Sequence, residues 1–279
     1  MIRKIALLIA VIMAIFAVEA LAGKESDKVI VNEYDLEEFR GITADDIYEV
    51  HVTHGLVQSV RVEVSEWLAD FVEIGVSGKT LNLSVKPGIY KSGISISREG
   101  IRIRSRRNSG KIKVFVTAPE LYRVKLSGAA LLIAEGKFIC DNGDFRIELS
   151  GASNAKGLLV EGSKADIHMS GASNLDLDGA FDSVKAALSG ASNLDMNVDC
   201  GDFYGHISGA SSIKLSGKGD FIRFEGSGAS NLIAPDFHAN EGNVRLSGAS
   251  HASVNVSGSR MFRVIIRPAG CREIHAKGA

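Results

Sequence analysis

The chain has 279 residues, 45% of them apolar, with 30 glycines and only four prolines. That is enough for one large domain or two small ones, with ample apolar content for a core. Lys and Arg (32) nearly balance Asp and Glu (33), and aromatics make up 6%, which together exclude the basic, base-stacking composition of a dedicated nucleic-acid binder.

The first 22 residues, MIRKIALLIAVIMAIFAVEALA, read as an export signal. Arg3 and Lys4 form a positive start, Ile5 to Val18 an apolar run, and Ala20-Leu21-Ala22 a small-x-small cleavage site before Gly23. The run is short of the ~20 residues a spanning helix needs, so no transmembrane span is expected after cleavage. No cysteine follows the cleavage site to take a lipid. The expected location is the periplasm, the outer surface or the extracellular space, with residues 23–279 forming one domain.

Strand patterns follow. Ile47, Val50 and Val52 form one apolar run, Val60, Val62 and Val64 a second, and Leu81, Leu83 and Val85 a third before Pro87-Gly88. Next comes SREGIRIRSRRNSGKIK, in which Arg98, Arg102, Arg104, Arg106, Arg107, Lys111 and Lys113 face a single acid, Glu99. Its alternation of Ile and Arg predicts a strand with a basic outer face. Such a strand is either a solvated hairpin or a contact for an anionic polymer, whose acidic groups suit the guanidinium fork.

From residue 127 to about 258 one phrase recurs, as in ELSGASNAKG, HMSGASNLDLDG and ALSGASNLDMNV. Its first Ser stands at 127, 150, 170, 189, 208, 227 and 247, in steps of 23, 20, 19, 19, 19 and 20 residues. A fixed period of this kind signals stacked units. Apolar and polar residues alternate on both sides of the phrase, the signature of strands with one buried face. Each repeat therefore reads as strand, SGAS corner, strand and a second, variable corner. Stacking buries what two short strands alone cannot. The expected fold is all-β, a right-handed parallel β-helix-like solenoid of about 19–20 residues per turn, with an irregular N-terminal β portion. A flat meander would instead put successive SGAS copies at alternating ends. On the solenoid reading, Gly128, Gly151, Gly171, Gly190, Gly209, Gly228 and Gly248 occupy a dihedral that a Cβ opposes. The Ala after each Gly is expected to point into the inner corner. Asn154, Asn174 and Asn193 are expected to bond to their copies on adjacent turns. The closing MFRVIIRPAGCREIHAKGA loses the repeat and is expected to cover the open end of the stack.

Candidate chemistry is sparse. Asp176 and Asp195 share an outward column, but with Lys156 and Lys214 on adjacent rungs they read as a surface charge ladder. Ser153 to Lys156 and Ser211 to Lys214 match S-x-x-K without the SDN and KTG motifs that accompany it in penicillin-recognising enzymes. His168 and His206 share a column two rungs apart, ~10 Å at ~4.8 Å per rung, too far for one metal. His51 and His54 have no third ligand in view. Cys140, Cys200 and Cys271 lack metal-like spacing and read as small buried side chains. No metal, cofactor or catalytic set is assigned.

The order DIYEVHVTHG, SVRVEVSEWLADFVEIGVSGKTLNLSV, KIKVFVTAPELYRVKLSGAA and then serial SGAS corners resembles the bacterial head GIN domain family, the auto-transporter adhesin head domains. The resemblance covers about residues 35–265. It implies an exported β-helical protein with an adhesive role and no established catalytic residues. The combined expectation is a non-enzymatic envelope or extracellular protein that binds an anionic glycan, another envelope polymer or a surface protein. A polysaccharide lyase or hydrolase, and a structural protein stacking end to end, are the alternatives.

Overall fold

Alternation dictates the architecture. In the strand Asn174–Leu188, Leu175, Leu177, Phe181, Val184, Ala186 and Leu188 are all at most 5% exposed, while Asp176, Asp178, Asp182 and Lys185 between them face solvent. The computed structural model describes residues 28–45, 47–86, 94–97, 100–103, 106–110, 112–256, 262–266 and 273–277. It is nearly all-β, with a solenoid of about seven turns in the C-terminal half. The expected signal segment lies outside the described residues.

The repeats coil in one sense. Lys137–Leu149, Asn154–Met169, Asn174–Leu188, Asn193–Ile207, Ser212–Gly226 and Asn231–Leu246 each pair in parallel with the next. Equivalent residues are in register, Asn174 beside Asn193 and Leu188 beside Ile207. This excludes the meander. Extra residues in the longer steps are absorbed as register shifts: between Cys140 and Asp144, between Ala155 and Leu158, and at Ala234 to Asp236. One shift alters a sequence-based column. Gly157, which stands seven residues after its motif Ser as the inward Leu177 does after its own, bulges out at φ 69°, and Leu158 takes its place beside Leu177.

The corner is a ladder of main-chain bonds. Ala191 N–H donates to Gly171 O, Ala210 N–H to Gly190 O and Ala229 N–H to Gly209 O, at 2.7, 2.7 and 2.8 Å. All seven corner glycines have φ between 66° and 77°. A Cβ on Gly190 would lie 2.5 Å from Gly171 O, so the glycine is needed for both dihedral and space. The Asn side chains stack as expected, Asn174 Nδ2 donating to Asn154 Oδ1 at 2.7 Å and Asn193 Nδ2 to Asn174 Oδ1 at 3.0 Å. The corner's inner residue, however, is not the Ala. Ala172, Ala191, Ala210, Ala229 and Ala249 are exposed, and the following serines (Ser153, Ser173, Ser192, Ser211, Ser230 and Ser250) are 0% exposed. The alternation that carries Leu188 and Leu194 inward runs unbroken through the corner and puts Ser192 on the same side, with Ala191 outward. Each buried hydroxyl then finds a partner: Ser192 Oγ donates to Ser189 O at 2.9 Å and meets Ser173 Oγ at 3.2 Å.

The N-terminal half joins the same sheet out of sequence order. Gly41–Ala44 and Tyr48–His54 lie beneath Arg123–Leu126 and Leu131–Glu135, all in parallel. Thr80–Val85 and Ile112–Ala118 form the next layer. Beyond it the direction reverses: Val72–Ser77, Ser59–Ser65 and Val29–Tyr34 pair antiparallel and finish that end. Between Val85 and Ile112 a separate antiparallel sheet holds Ile94–Ser97, Gly100–Ile103 and Arg106–Gly110. At the other end the chain does more than cover the stack. Phe262–Ile266 pairs in parallel with Asn231–Leu246, and Glu273–Lys277 with His251–Val256, forming a further lap. FRVII and EIHAK keep the strand alternation although the SGAS letters are gone.

Replacing Gly190 by Ala is expected to destabilise the chain by at least about 1–2 kcal/mol, from left-handed strain plus the clash with Gly171 O. Gly75→Ala, where a Cβ meets nothing within 4 Å, is the control and should be neutral or slightly stabilising. Thermal melts of the two variants check this, and equal melting temperatures would contradict the corner analysis.

Candidate functional site

The strand leading into each SGAS corner puts two outward columns on one flat face. The inner column runs Lys125, Glu148, His168, Ala187, His206, Glu225 and Arg245, and the outer runs Arg123, Arg146, Asp166, Lys185, Tyr204, Arg223 and Asn243. Large side chains stand at every place but one. At Ala187 the column drops to a methyl group, and a trough opens between His168 and His206. Its central part, about 380 Å³, is lined by residues of four laps, among them Asp166, His168, Lys185, Ala187, Tyr204, His206 and Glu225. A second hollow of about 510 Å³ shares His168, Ala187 and His206 and continues towards Lys125, Glu148 and the corner serines.

Charges on this face are mostly tied to one another. Glu148 receives Arg146 at 2.9 Å, Arg123 at 3.0 Å and Lys125 at 3.7 Å. Glu225 receives Arg223 at 2.7 Å and Arg245 at 2.9 Å, with His206 at 3.8 Å. Asp166 takes His168 at 3.0 Å and Arg146 at 3.9 Å. Burial pushes the Glu148 carboxyl up, but Arg123, Arg146 and Lys125 together outweigh it and hold the group below the usual value. The Arg223 hydrogen bond does the same for Glu225 against burial, with help from Arg245. Tyr204 is oriented by its hydroxyl, which donates to Asp202 at 3.0 Å. Lys185 makes no ion pair among the described residues.

A second cleft, of about 520 Å³, lies in the N-terminal layers beside Tyr34, Thr53, Gln58 and Thr117. Its aromatic wall is self-contained. Phe115 is stacked by His51 at 5.0 Å on one side and capped by the Arg61 guanidinium at 4.5 Å on the other.

The sequence-derived candidates fare differently. Of the basic segment, Arg98, Arg104 and Lys111 lie outside the described residues. Arg102 falls on Gly100–Ile103 and Arg106 and Arg107 on Arg106–Gly110, in the small sheet. Lys113 belongs to another strand, Ile112–Ala118, and pairs with Glu49 at 3.4 Å. The single basic strand read from the sequence is thus divided between two sheets. Asp195 pairs with Lys214 at 3.0 Å, whereas Asp176 accepts from the bulged Gly157 N–H at 3.4 Å instead of facing Lys156. Ser153 and Ser211 of the S-x-x-K matches are fully buried. His51 contacts Glu49 at 2.9 Å, and His54 packs on Phe138 edge-on at 5.6 Å. Cys140 is buried and Cys200 half-buried, both unpaired thiols that burial pushes up to about 12; Cys271 lies outside the described residues. Among the described residues no three His, Cys, Asp or Glu gather as a metal site, and no helix is long and apolar enough to cross a membrane. The trough itself was missed. Its signal was present in the column that reads Glu, His, Ala, His, Glu.

Fold and face together define a class: a parallel β-solenoid with a shallow polar trough on one flat sheet. The chain belongs to the family described as "Putative auto-transporter adhesin, head GIN domain", whose model matches residues 38–197 and 184–265. The fold is shared with the crystal structure of a "putative adhesin" from Parabacteroides distasonis, at TM-score 0.56 and 16% identity over 90% of this chain and 95% of that one. It is shared equally with a "Putative lipid binding protein" from the same species, at TM-score 0.58 and 14% identity over 89% and 96%. A "putative adhesin" from Parabacteroides merdae aligns at TM-score 0.54 and 17% identity over 90% and 95%. No curated protein matches the chain.

Both Glu148 and Glu225 titrate below the usual glutamate value of 4.5 when folded, so they stabilise the fold above that pH and lose the contribution as pH falls through their lowered values. The double variant Glu148→Gln/Glu225→Gln is expected to melt below wild type at pH 7, with the gap narrowing as the pH falls below 4.5. Circular-dichroism melts across that range check it; a gap of constant size would refute the ion-pair account.

Proposed function

We propose that this chain is an exported, non-enzymatic binding protein of the cell envelope or extracellular space, which uses the trough face of its solenoid to hold a glycan or another surface polymer. The observation that carries the reading is the way the face engages its acids. A glycosidase needs a carboxyl raised to act as proton donor beside a second carboxylate. Here Glu148 and Glu225 are lowered by guanidinium partners, which suits fixed recognition and opposes proton transfer. The family's description as an adhesin head and the like-named neighbours support the same direction. An open groove crossing four laps fits an extended polymer better than an enclosed small molecule. Arg102, Arg106 and Arg107 of the small sheet are proposed as an additional anionic contact.

A glycan array probed with the full chain, followed by reducing-end and unsaturated-product assays on each bound polysaccharide, tests this. Retention without cleavage is expected, and Ala187→Trp, which fills the trough, should reduce retention at least tenfold. Turnover of any bound polymer would replace the reading with an enzyme.

A further inference from the structure

Resting on that reading, the pattern of paired and unpaired charge on the trough face identifies the class of ligand. Five cations of the face are already engaged: Arg123, Lys125 and Arg146 on Glu148, and Arg223 and Arg245 on Glu225. Lys185 is different. Its register neighbours on the laps either side are Asp166 and Tyr204. Asp166, directly across, is held by His168 at 3.0 Å, and no carboxylate oxygen of the described residues comes within ion-pair distance of the Lys185 ammonium.

An unpaired surface lysine alone is ordinary, since water solvates it well. This one lines a concavity whose formal charges balance, Lys185 and Arg223 against Asp166 and Glu225, and there Glu225 is already engaged by Arg223 and Arg245 while the Lys185 ammonium is not. Two residues along its strand is Ala187, the floor, with the His168 and His206 rings one lap to either side. The half-buried Tyr204 ring, fixed through Asp202, stands on the lap beside the ammonium. An aromatic ring and a small apolar floor accept the carbon face of a sugar, imidazoles bond its hydroxyls, and one free ammonium awaits one anionic substituent. A bilayer surface is disfavoured by the same inventory. The exposed large apolar side chains, such as Leu56, Val57, Ile139 and Leu159, all lie away from the trough lining.

We infer that the trough binds a segment of an acidic polysaccharide, with a carboxylate or sulfate paired to Lys185 and sugar hydroxyls shared between His168 and His206.

The full chain would be presented to immobilised polygalacturonate, dextran sulfate and neutral dextran, and to phosphatidylglycerol vesicles, at fixed ionic strength. Wild type is expected to bind at least one acidic polymer tenfold or more tighter than dextran. Lys185→Gln should lose that margin, Lys185→Arg should restore most of it, and unchanged melting temperatures exclude misfolding as the cause. Equal binding of acidic and neutral polymers, indifference to Lys185→Gln, binding to none of the acidic polymers, or preference for the vesicles would each overturn the inference. Ala187→Trp separates the two levels of the argument. If it abolishes polymer binding while Lys185→Gln leaves it intact, only the acidic-ligand inference falls; if polymer binding survives Ala187→Trp, the trough itself is the wrong site.

Discussion

The structure depends on one constraint: at the SGAS corner, main chain must pass directly over main chain. With Ala N–H bonded to the Gly O of the lap before at about 2.7 Å, there is no room for a side chain between laps at the glycine. That contact sets the register for everything else. Once Gly190 sits on Gly171, the parity of side chains on both flanking strands is fixed, and Leu188 must lie beside Met169 and Leu194 beside Leu175. A slip of one residue would put the core on the outside of both strands at once. Buried serines reinforce the lock, because a hydroxyl sealed at 0% exposure needs its neighbour's oxygen or the local carbonyl in place.

Where the chain could be read in advance follows from this. The glycine column and the alternation around it are local, repeated features, so the coil, its period and the Asn ladder were all legible. The Ala-for-Ser error at the inner corner has a local cause too. The small size of the Ala was read as the mark of a crowded inner position, whereas alternation counted through the corner from Leu188 puts Ala191 outward and Ser192 inward. The N-terminal layers were not legible, for a different reason. Gly41–Ala44 lies between Thr80–Val85 and Arg123–Leu126, and nothing in the local pattern of any of these segments encodes which of the others it pairs with. Nonlocal order is set by which edge is left unpaired as the layers assemble. The closing segment covers the end of the stack as expected and does so as paired strands: its corner letters changed, yet Phe262–Ile266 and Glu273–Lys277 kept strand alternation.

The trough shows why a site on such a fold hides from motif searches. Catalytic motifs are recognised by spacing along the chain, but here the spacing that matters runs across it, every 19 or 20 residues. His168, Ala187 and His206 are neighbours only through the coil. Reading down columns finds them, and the informative residue is the smallest one. An Ala among Glu, His, His and Glu is conspicuous only when it is set beside its vertical neighbours. The histidines were weighed as metal ligands and rejected on distance. The gap between them, which argued against a metal, is what makes the concavity.

A solenoid separates stability from recognition more cleanly than most folds. Inward positions and corner glycines are dictated by the stack, while each outward position touches only its vertical and diagonal neighbours. Outward charge is then free to vary, yet on this face it does not vary at random. Glu148 gathers Arg123, Arg146 and Lys125, Glu225 gathers Arg223 and Arg245, and the two clusters flank the trough on its two sides. Lys185 stands between these two clusters, with Asp166 on the neighbouring lap and no ion pair of its own among the described residues. Simple stacking does not require that distribution, since a fully paired ladder such as Asp195 with Lys214 serves solubility as well. On this face the departure from full pairing coincides with the trough, which is why the trough is the place proposed for binding.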